Sequence, residues 1–217
     1  MYIVTDKLYF PPAETANKYG MLAVGGDLSV NRLILAYKSG IFPWYSDDEP
    51  IIWYSLNPRM VLFLNEFKVS KSLKSLLKKN IYKVTFNQNF EEVIHHCKSI
   101  ERTNQPDTWI TDEMKKAYID FHQAGYAKSV EVWKGDELVG GLYGVDLGTI
   151  FCGESMFSKE PNASKIALAL LVDKLKKEDY QLIDCQMYTD YLASFGAREI
   201  PREEFINYLR SVNLKYF

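Results

Sequence analysis

Two different patterns of apolar and polar residues divide the chain near residue 60. The first part is rich in Gly, Pro and aromatic side chains and contains one convincing helical pattern, over residues 31–39. Apolar residues recur there every three or four positions, with Ser29 as a suitable N-cap and Gly40 as a suitable stop. We therefore predict a small irregular N-terminal α/β domain over residues 1–60 that packs on a larger domain.

The second part, residues 61–217, shows regular periodicity and is predicted to form the larger domain. Short apolar runs predict strands, and a repeat of three to four positions predicts helices. The predicted strands cover residues 60–64, 82–87, 129–133, 137–145, 150–157 and 181–187, and the predicted helices cover residues 70–79, 89–98, 111–125 and 162–177. A helix, three antiparallel strands, a helix and a strand follow one another, which is the order of a GNAT-like acyltransferase core. The predicted fold class is α+β.

The predicted strand at residues 181–187 carries a carboxylate and a carboxamide two positions apart. Because side chains alternate along a strand, Asp184 and Gln186 are predicted to share one face, with Cα atoms about 6.6 Å apart. The opposite, apolar side takes Ile183, Cys185 and Met187. An Asp in an apolar strand is unfavourable unless it is hydrogen-bonded or lines a cavity. The pattern fits a functional site, and equally a structural Asp satisfied by backbone N–H groups or a neighbouring Arg.

Composition excludes several classes of protein. The chain has 217 residues, 47% of them hydrophobic and 25% charged, so it can bury a full core. A net charge of −2 disfavours indiscriminate coating of nucleic acid, although a local basic patch is compatible with it. Three widely spaced cysteines disfavour a disulfide framework and a zinc site, and no metal is expected. Neither a secretory leader nor a run of about 20 apolar residues is evident, which predicts a cytoplasmic protein.

A second carboxylate, Glu154, ends the predicted meander just before the next helix. The sheet of a GNAT-like core splits in this region to admit substrate, so Glu154 either faces that cleft or is a surface residue at a strand end. A CoA-dependent enzyme needs a Gly-rich loop before this helix, whose N–H groups bind the pyrophosphate. Here the loop at residues 158–165 contains Pro161, which removes one donor, and CoA is not expected.

A basic helix and three tryptophans are candidate contacts for nucleic acid. Lysines lie on one face of the predicted helix at residues 70–79, at positions 71, 74 and 78. Such a face is either a solvated surface or a row of phosphate contacts. Tryptophans in loop-like segments favour the second, because an exposed ring that stacks on a base contributes about 1 to 3 kcal/mol. These tryptophans are Trp44, Trp53 and Trp109.

Nine short blocks extend in order over nearly the whole chain. They are residues 25–29 (GGDLS), 40–44 (GIFPW), 57–59 (NPR), 108–110 (TWI), 129–133 (SVEVW), 138–144 (LVGGLYG), 153–158 (GESMFS), 162–165 (NASK) and 183–186 (IDCQ). With these blocks the chain resembles the leucyl/phenylalanyl-tRNA protein transferases of bacteria.

The resemblance implies an aminoacyltransferase that moves Leu or Phe, and less readily Met, from an aminoacyl-tRNA. The acceptor is the α-amine of a protein that begins with Arg or Lys, which is thereby marked for N-degron-dependent degradation. The resemblance further implies a GNAT-like C-terminal domain, no metal, no CoA or other cofactor, no membrane partner and a monomer.

The resemblance also implies roles for individual residues. Asp184 is expected to draw a proton from the amine, directly or through Gln186, and Gln186 to orient the amine or the ester carbonyl. Glu154, together with Gln186, is expected to hold the acceptor's N-terminal end. The expected contacts of the 3′-terminal adenosine are Tyr37, Trp44, Trp109 and Tyr118; those of tRNA phosphates are Lys71, Lys74 and Lys78; and the walls of the donor side-chain pocket, unless these five are simply core, are Leu142, Phe151, Met156, Leu168 and Ile183.

Three other hypotheses stay open. The first is a GNAT-like enzyme with a small acyl-thioester donor such as CoA, which the missing phosphate loop disfavours. The second keeps the aminoacyl-tRNA donor but uses a peptidoglycan precursor or a lipid as acceptor. The third is a tRNA-binding module without catalytic activity.

Overall fold

The computed structural model describes residues 2–100 and 109–211 of the chain. Its strands are β1 (Tyr2–Val4), β2 (Met21–Gly25), β3 (Phe42–Pro43), β4 (Ile52–Tyr54), β5 (Arg59–Phe63), β6 (Lys83–Phe86), β7 (Ala127–Lys134), β8 (Glu137–Asp146), β9 (Ile150–Ser158), β10 (Leu182–Gln186) and β11 (Arg198–Ile200). Its α-helices are α1 (Val30–Lys38), α2 (Lys71–Lys78), α3 (Phe90–Ser99), α4 (Asp112–Gln123), α5 (Ala163–Lys177), α6 (Asp190–Ser194) and α7 (Arg202–Arg210). Thr108, part of the block at residues 108–110, lies outside the described residues.

The N-terminal segment is more regular than predicted. It forms a four-stranded sheet in the order β1-β2-β4-β3, in which β1 and β2 are parallel and the other pairs are antiparallel. The segment thus contains a small sheet that the sequence did not indicate, and α1 lies where a helix was predicted. Strands of two to five residues are too short to show a clear alternation in sequence, which explains why they were missed.

Trp53 does not lie in a loop. It is the central residue of β4, its side chain is fully buried, and its indole N–H donates to the Gly25 carbonyl over 2.8 Å. The prediction of an exposed ring at this position is wrong, because the indole closes the core of the N-terminal sheet.

The second sheet has seven strands in the order β11-β5-β10-β9-β8-β7-β6. Strands β7, β8 and β9 form the predicted antiparallel meander, and β10 returns after α5 to pair parallel with β9. The α+β class and the predicted order of helix, meander, helix and strand are confirmed. Strand β4 is the last strand in sequence of the four-stranded sheet, and β5 is the first of the seven-stranded sheet. The domain division at residue 60 stays a prediction.

Helices α2 and α4 begin at a capping hydroxyl, whereas Ser29, the predicted N-cap, precedes α1 without a side-chain capping hydrogen bond. The Ser70 hydroxyl accepts from the backbone N–H of Leu73 over 3.2 Å at the start of α2, and the Thr111 hydroxyl accepts from that of Met114 over 3.0 Å at the start of α4. Helix α5 begins one residue after its predicted start, because Asn162 has a φ of 70° and lies outside the helical region.

The seven-stranded sheet lies between two hydrophobic clusters. Side chains alternate between them along each central strand, as Leu182 of β10 belongs to the first cluster and Ile183 to the second. Buried residues of α3 and α4 belong to the first cluster, and those of α5 belong to the second. A sheet covered on both faces explains why its strands read as nearly continuous apolar runs. Within the described residues, no helix has both the length and the apolar character that crossing a membrane requires.

Two facing glycines on β8 and β9 differ in the space beside them. A Cβ on Gly144 would lie 2.2 Å from the Cys152 carbonyl oxygen and 2.5 Å from the Phe151 ring. A Cβ on Gly153 would meet its nearest neighbours, the Ile183 side chain and the Asp184 carbonyl, at 3.6 and 3.7 Å. A side chain at Gly144 therefore requires backbone movement, whereas one at Gly153 does not.

We predict that Gly144→Ala lowers the free energy of unfolding by about 3 kcal/mol or more, because a methyl group collides with backbone there. Gly153→Ala is the matched control and should change stability by less than about 1 kcal/mol. Urea denaturation of both variants checks this. Equal stability of the two variants would contradict the close approach of β8 and β9.

Candidate active site

Strands β9 and β10 diverge at the centre of the large sheet. Their parallel pairing runs from Ile150 with Leu182 to Cys152 with Asp184. Beyond these residues β9 stays paired with β8, with a register shift that leaves Glu154 unpaired between Gly153 and Ser155, whereas β10 has a bulge and ends at Gln186, whose φ is 57°. A positive φ at a residue other than glycine is unfavourable and requires support from its surroundings. The divergence leaves a gap in the sheet.

Asp184 lies at the closed end of this gap and has no exposed surface. Arg59 binds it through two hydrogen bonds, from Nε to Oδ1 over 2.8 Å and from Nη2 to Oδ2 over 2.7 Å. The backbone N–H of Gln186 donates to Oδ1 as well, over 3.1 Å. Asp184 therefore does not open onto a cavity. Of the two interpretations of the sequence, the structural Asp satisfied by an Arg is what the structure shows.

Arg59 is itself enclosed. Its guanidinium carbon lies 4.8 Å from the Phe42 ring centre and 4.7 Å from that of Phe205, and its Nη1 donates to the Gly40 carbonyl over 3.3 Å. Burial by itself would lower the pKa of Arg59, but the Asp184 carboxylate raises that pKa above its ordinary value. The guanidinium therefore stays charged, and the pair is neutral as a whole.

Glu154 lies at the open end of the gap and is partly exposed. Its Oε1 accepts from the Gln186 carboxamide over 3.2 Å, and its Oε2 accepts from the Tyr118 hydroxyl over 3.2 Å. Tyr118 in turn shares a short hydrogen bond with Tyr37. Burial raises the pKa of Glu154 to about 7, even though the tyrosine hydroxyls lower it. Glu154 lies in the middle of β9 and not at a strand end.

The structure brings Glu154 and Gln186 together across the gap. Gln186 is 8% exposed, and its left-handed backbone aims the carboxamide at Glu154 instead of continuing the strand. The alternation predicted for residues 181–187 therefore ends early. Ile183 and Cys185 do contact the second hydrophobic cluster as predicted, but Met187 lies beyond β10 and is 39% exposed.

The four residues expected at the terminal adenosine differ in exposure. Trp44 and Trp109 are partly exposed and border the first hydrophobic cluster. Tyr37 and Tyr118 are buried, with 2% and 0% of their surface exposed, and their hydroxyls lead to Glu154. The adenosine contacts stay a prediction for all four, and the two tyrosines add a link to the carboxylate that the sequence did not indicate.

The five residues expected at the donor side chain lie together in or against the second cluster. Four are at most 3% exposed, and the fifth is partly exposed. The four are Leu142, Phe151, Leu168 and Ile183, and the fifth is Met156. They are packed core residues in this structure, and their role in the donor pocket stays a prediction.

The lysine face of α2 is on the surface. Lys71, Lys74 and Lys78 are exposed, while Leu73 packs into the second cluster.

Among the described residues, no group of three or more His, Cys, Asp or Glu side chains is arranged to hold a metal ion.

Sequence reasoning missed the function of Arg59 and its two aromatic neighbours. The signal was present, because Arg59 begins the apolar strand β5 just as Asp184 interrupts the apolar strand β10. Two opposite charges in strands that are otherwise apolar are expected to pair, since an unpaired buried charge is strongly unfavourable.

Comparison with known proteins decides the family. Residues 61–210 match the family described as leucyl/phenylalanyl-tRNA protein transferase, and residues 26–57 match its N-terminal domain. The chain belongs to this family. The leucyl/phenylalanyl-tRNA–protein transferase of Flavobacterium johnsoniae is 56% identical over 97% of this chain and 100% of that protein. The transferase of the same name from Syntrophobacter fumaroxidans is 52% identical over 96% of this chain and 89% of that protein.

The protein is therefore an aminoacyltransferase of the leucyl/phenylalanyl-tRNA protein transferase family. A solved aminoglycoside acetyltransferase from an uncultured soil metagenomic sample, in complex with sisomicin, aligns with a TM-score of 0.39 and 10% identity, over 54% of this chain and 86% of that chain. A similarity this low supports no conclusion about the substrates of the transferase.

We predict that Asp184→Leu or Arg59→Met, each alone, lowers the free energy of unfolding by about 3 to 5 kcal/mol, because a buried charge loses its partner. The double variant should recover most of this loss, since no unpaired charge remains. Urea denaturation of the four proteins gives the coupling free energy.

Arg198 and Glu66 form an exposed pair over 3.0 Å and provide the control. Arg198→Met should change stability by less than about 1 kcal/mol. If the losses in free energy of unfolding from Asp184→Leu and Arg59→Met were additive in the double variant, the two side chains would not form a buried ion pair.

Proposed function

We propose that the protein transfers Leu or Phe, and less readily Met, from an aminoacyl-tRNA to the α-amine of proteins that begin with Arg or Lys. Membership in the transferase family supports the donor and the reaction class. The observation that carries the acceptor side is the pair of Glu154 and Gln186 at the open end of the gap between β9 and β10. The products are marked for N-degron-dependent degradation in the cytoplasm, and the enzyme acts as a monomer.

The reaction makes modest demands on the protein. An α-amino group with a pKa near 7.7 to 8.0 is about one tenth neutral at pH 7, so its deprotonation adds about 1.4 kcal/mol to the barrier. Orientation of the amine against an activated ester contributes several times more. A carboxamide that can both donate and accept, such as that of Gln186, suits this task.

Asp184 is a positioning residue in this proposal. It is sealed against Arg59 and does not touch a substrate, but it holds the Gln186 backbone N–H over 3.1 Å. The assignment of direct proton transfer to Asp184 is therefore replaced by an indirect role through Gln186.

A carboxylate suits the acceptor end of the site. Glu154 is partly exposed and adjacent to Gln186, so together they can receive the cationic N-terminal end of a protein.

Partly exposed aromatic rings suit the donor end. Trp44 and Trp109 are proposed to stack on the 3′-terminal adenosine, with Tyr37 and Tyr118 beneath it. The donor side chain is proposed to enter the second cluster next to Met156, the partly exposed member, whose flexible thioether adapts to either Leu or Phe. The walls are the five residues named above.

We predict that the protein transfers labelled Leu from charged tRNA to peptides that begin with Arg or Lys at least tenfold faster than to the same peptides beginning with Ala. Scintillation counting of the peptide product checks this, with uncharged tRNA plus free Leu as the blank. Binding of tRNA without transfer would favour a tRNA-binding module without catalytic activity. Transfer at equal rates to peptides with different first residues would favour a different acceptor.

We predict that replacing Lys71, Lys74 and Lys78 together by Ala weakens binding of aminoacyl-tRNA without changing kcat. Each lost phosphate contact should reduce the slope of log affinity against log salt by about 1. Fluorescence titrations at several salt concentrations measure that slope.

Three scattered exposed lysines, Lys7, Lys18 and Lys116, provide the control for net charge. Their replacement by Ala should leave the slope nearly unchanged. An equal effect of both triple variants would indicate a long-range charge effect and would count against contacts through α2.

A further inference from the structure

The two carboxylates near the gap differ in how their oxygens are occupied. Both oxygens of Asp184 are bound by a permanent cation, and Oδ1 also accepts a backbone N–H. An amine would have to displace Arg59 and enter a position with no exposed surface to reach this carboxylate. Asp184 is therefore unsuited to exchange a proton with a substrate.

Glu154 is occupied only by neutral donors. They are the Gln186 carboxamide and the Tyr118 hydroxyl, both at 3.2 Å, together with the Tyr37 hydroxyl. Among the described residues, no Lys, Arg or His forms a salt bridge with Glu154. A carboxylate offers about four acceptor positions, so Glu154 retains capacity for a further donor, and it is partly exposed.

Resting on the function proposed above, we propose that Glu154, and not Asp184, accepts the proton of the acceptor's α-ammonium group. Its neighbour Gln186 donates to Oε1 of Glu154 through its amide nitrogen, which leaves the amide oxygen of Gln186 free to accept a second N–H of the ammonium. Gln186 and Glu154 thereby fix the direction in which the nitrogen lone pair emerges.

Atoms and charges balance in four steps. The ammonium gives one proton to Glu154 and becomes a neutral amine. The amine nitrogen attacks the ester carbonyl carbon of the aminoacyl-tRNA, and a C–N bond forms. The C–O bond to the terminal ribose then breaks, and the second proton of the nitrogen passes to that ribose oxygen. Glu154 finally releases its proton to solvent, so the enzyme returns to its initial state.

The surroundings of Glu154 match this exchange. Facing it are Tyr37 from α1, Tyr118 from α4, Arg59 from β5, and Cys152 and Asp184 from its own and the adjacent strand. Burial raises the pKa of Glu154 to about 7, while the tyrosine hydroxyls lower it. An α-ammonium with a pKa of about 7.7 to 8.0 therefore transfers its proton with an equilibrium constant within about tenfold of unity.

This assignment separates two features of acceptor recognition. Once Glu154 carries the proton it is neutral and cannot hold a guanidinium or ammonium side chain. Its partner is therefore the α-amine, which every acceptor has, and the preference for Arg or Lys must persist when the Glu154 charge is removed.

The test is the pH dependence of kcat/KM for an Arg peptide, between pH 6 and pH 9. In the native enzyme the rate should rise with pH through about 7, as Glu154 ionises, and fall again as the free amine loses its proton. Glu154→Gln should lose about 100-fold at pH 7. Its rate should rise with pH toward a plateau above pH 8, so that the deficit shrinks more than tenfold by pH 9.

A second variant tests the same group without removing it. Tyr118→Phe deletes a hydrogen bond that lowers the pKa of Glu154, so the rising limb should move to higher pH. The control is Glu160→Gln, two residues beyond the end of β9, where Glu160 accepts from the Tyr82 hydroxyl over 2.8 Å. This control should keep the native profile.

Each contrary outcome has one meaning. A native enzyme that does not transfer Leu to Arg peptides overturns the proposed function itself. A native enzyme that transfers, with Glu154→Gln showing a parallel profile at all pH values, overturns the proton transfer and leaves Glu154 a binding group. Loss of the Arg preference in Glu154→Gln also overturns it, because the carboxylate would then be bound to the side chain.

Discussion

The buried pair of Arg59 and Asp184 is the interaction on which the rest of the site depends. It joins β5 to β10, and it is covered by Phe42 from the first sheet and Phe205 from α7. The Asp184 carboxylate also holds the backbone N–H of Gln186, which supports an otherwise unfavourable left-handed conformation. The cost of burying two charges is offset because nearly every donor and acceptor of the pair is used. The Gln186 carboxamide, which contacts Glu154, is thus placed by a neutral pair beneath it.

Environment gives the acidic residues of this enzyme different tasks. Asp184 faces a cation and is closed to solvent, which makes it a fixed structural charge. Glu131 is also fully buried but accepts from the hydroxyls of Thr85 and Ser129, over 2.6 and 2.5 Å, and so anchors β6 to β7. Glu154 alone of these three is partly exposed, and its neighbours donate hydrogen bonds without carrying charge. Only such a carboxylate can gain and lose a proton during a reaction cycle.

Much of the larger domain could be predicted from sequence because its elements are long. The meander, α5 and the capped helices all have enough residues to show a period. The N-terminal strands could not, since β3 has two residues and β4 three. Asp184, Glu154 and Gln186 were found as polar residues in apolar or strand-like surroundings. Their partners were not, because Arg59 is 125 positions from Asp184 and only the folded chain brings them together.

The contacts around Arg59 also determine when the enzyme becomes complete during translation. Its guanidinium lies between a ring from position 42 and a ring from position 205, in the early and late parts of the chain. Protein chains fold from the N-terminus as they emerge, but this charge stays uncovered until α7 leaves the ribosome. A nascent or truncated polypeptide without α7 therefore carries a half-exposed cation beside an unfinished site. The enclosure of Arg59 is therefore complete only after α7 has been synthesised.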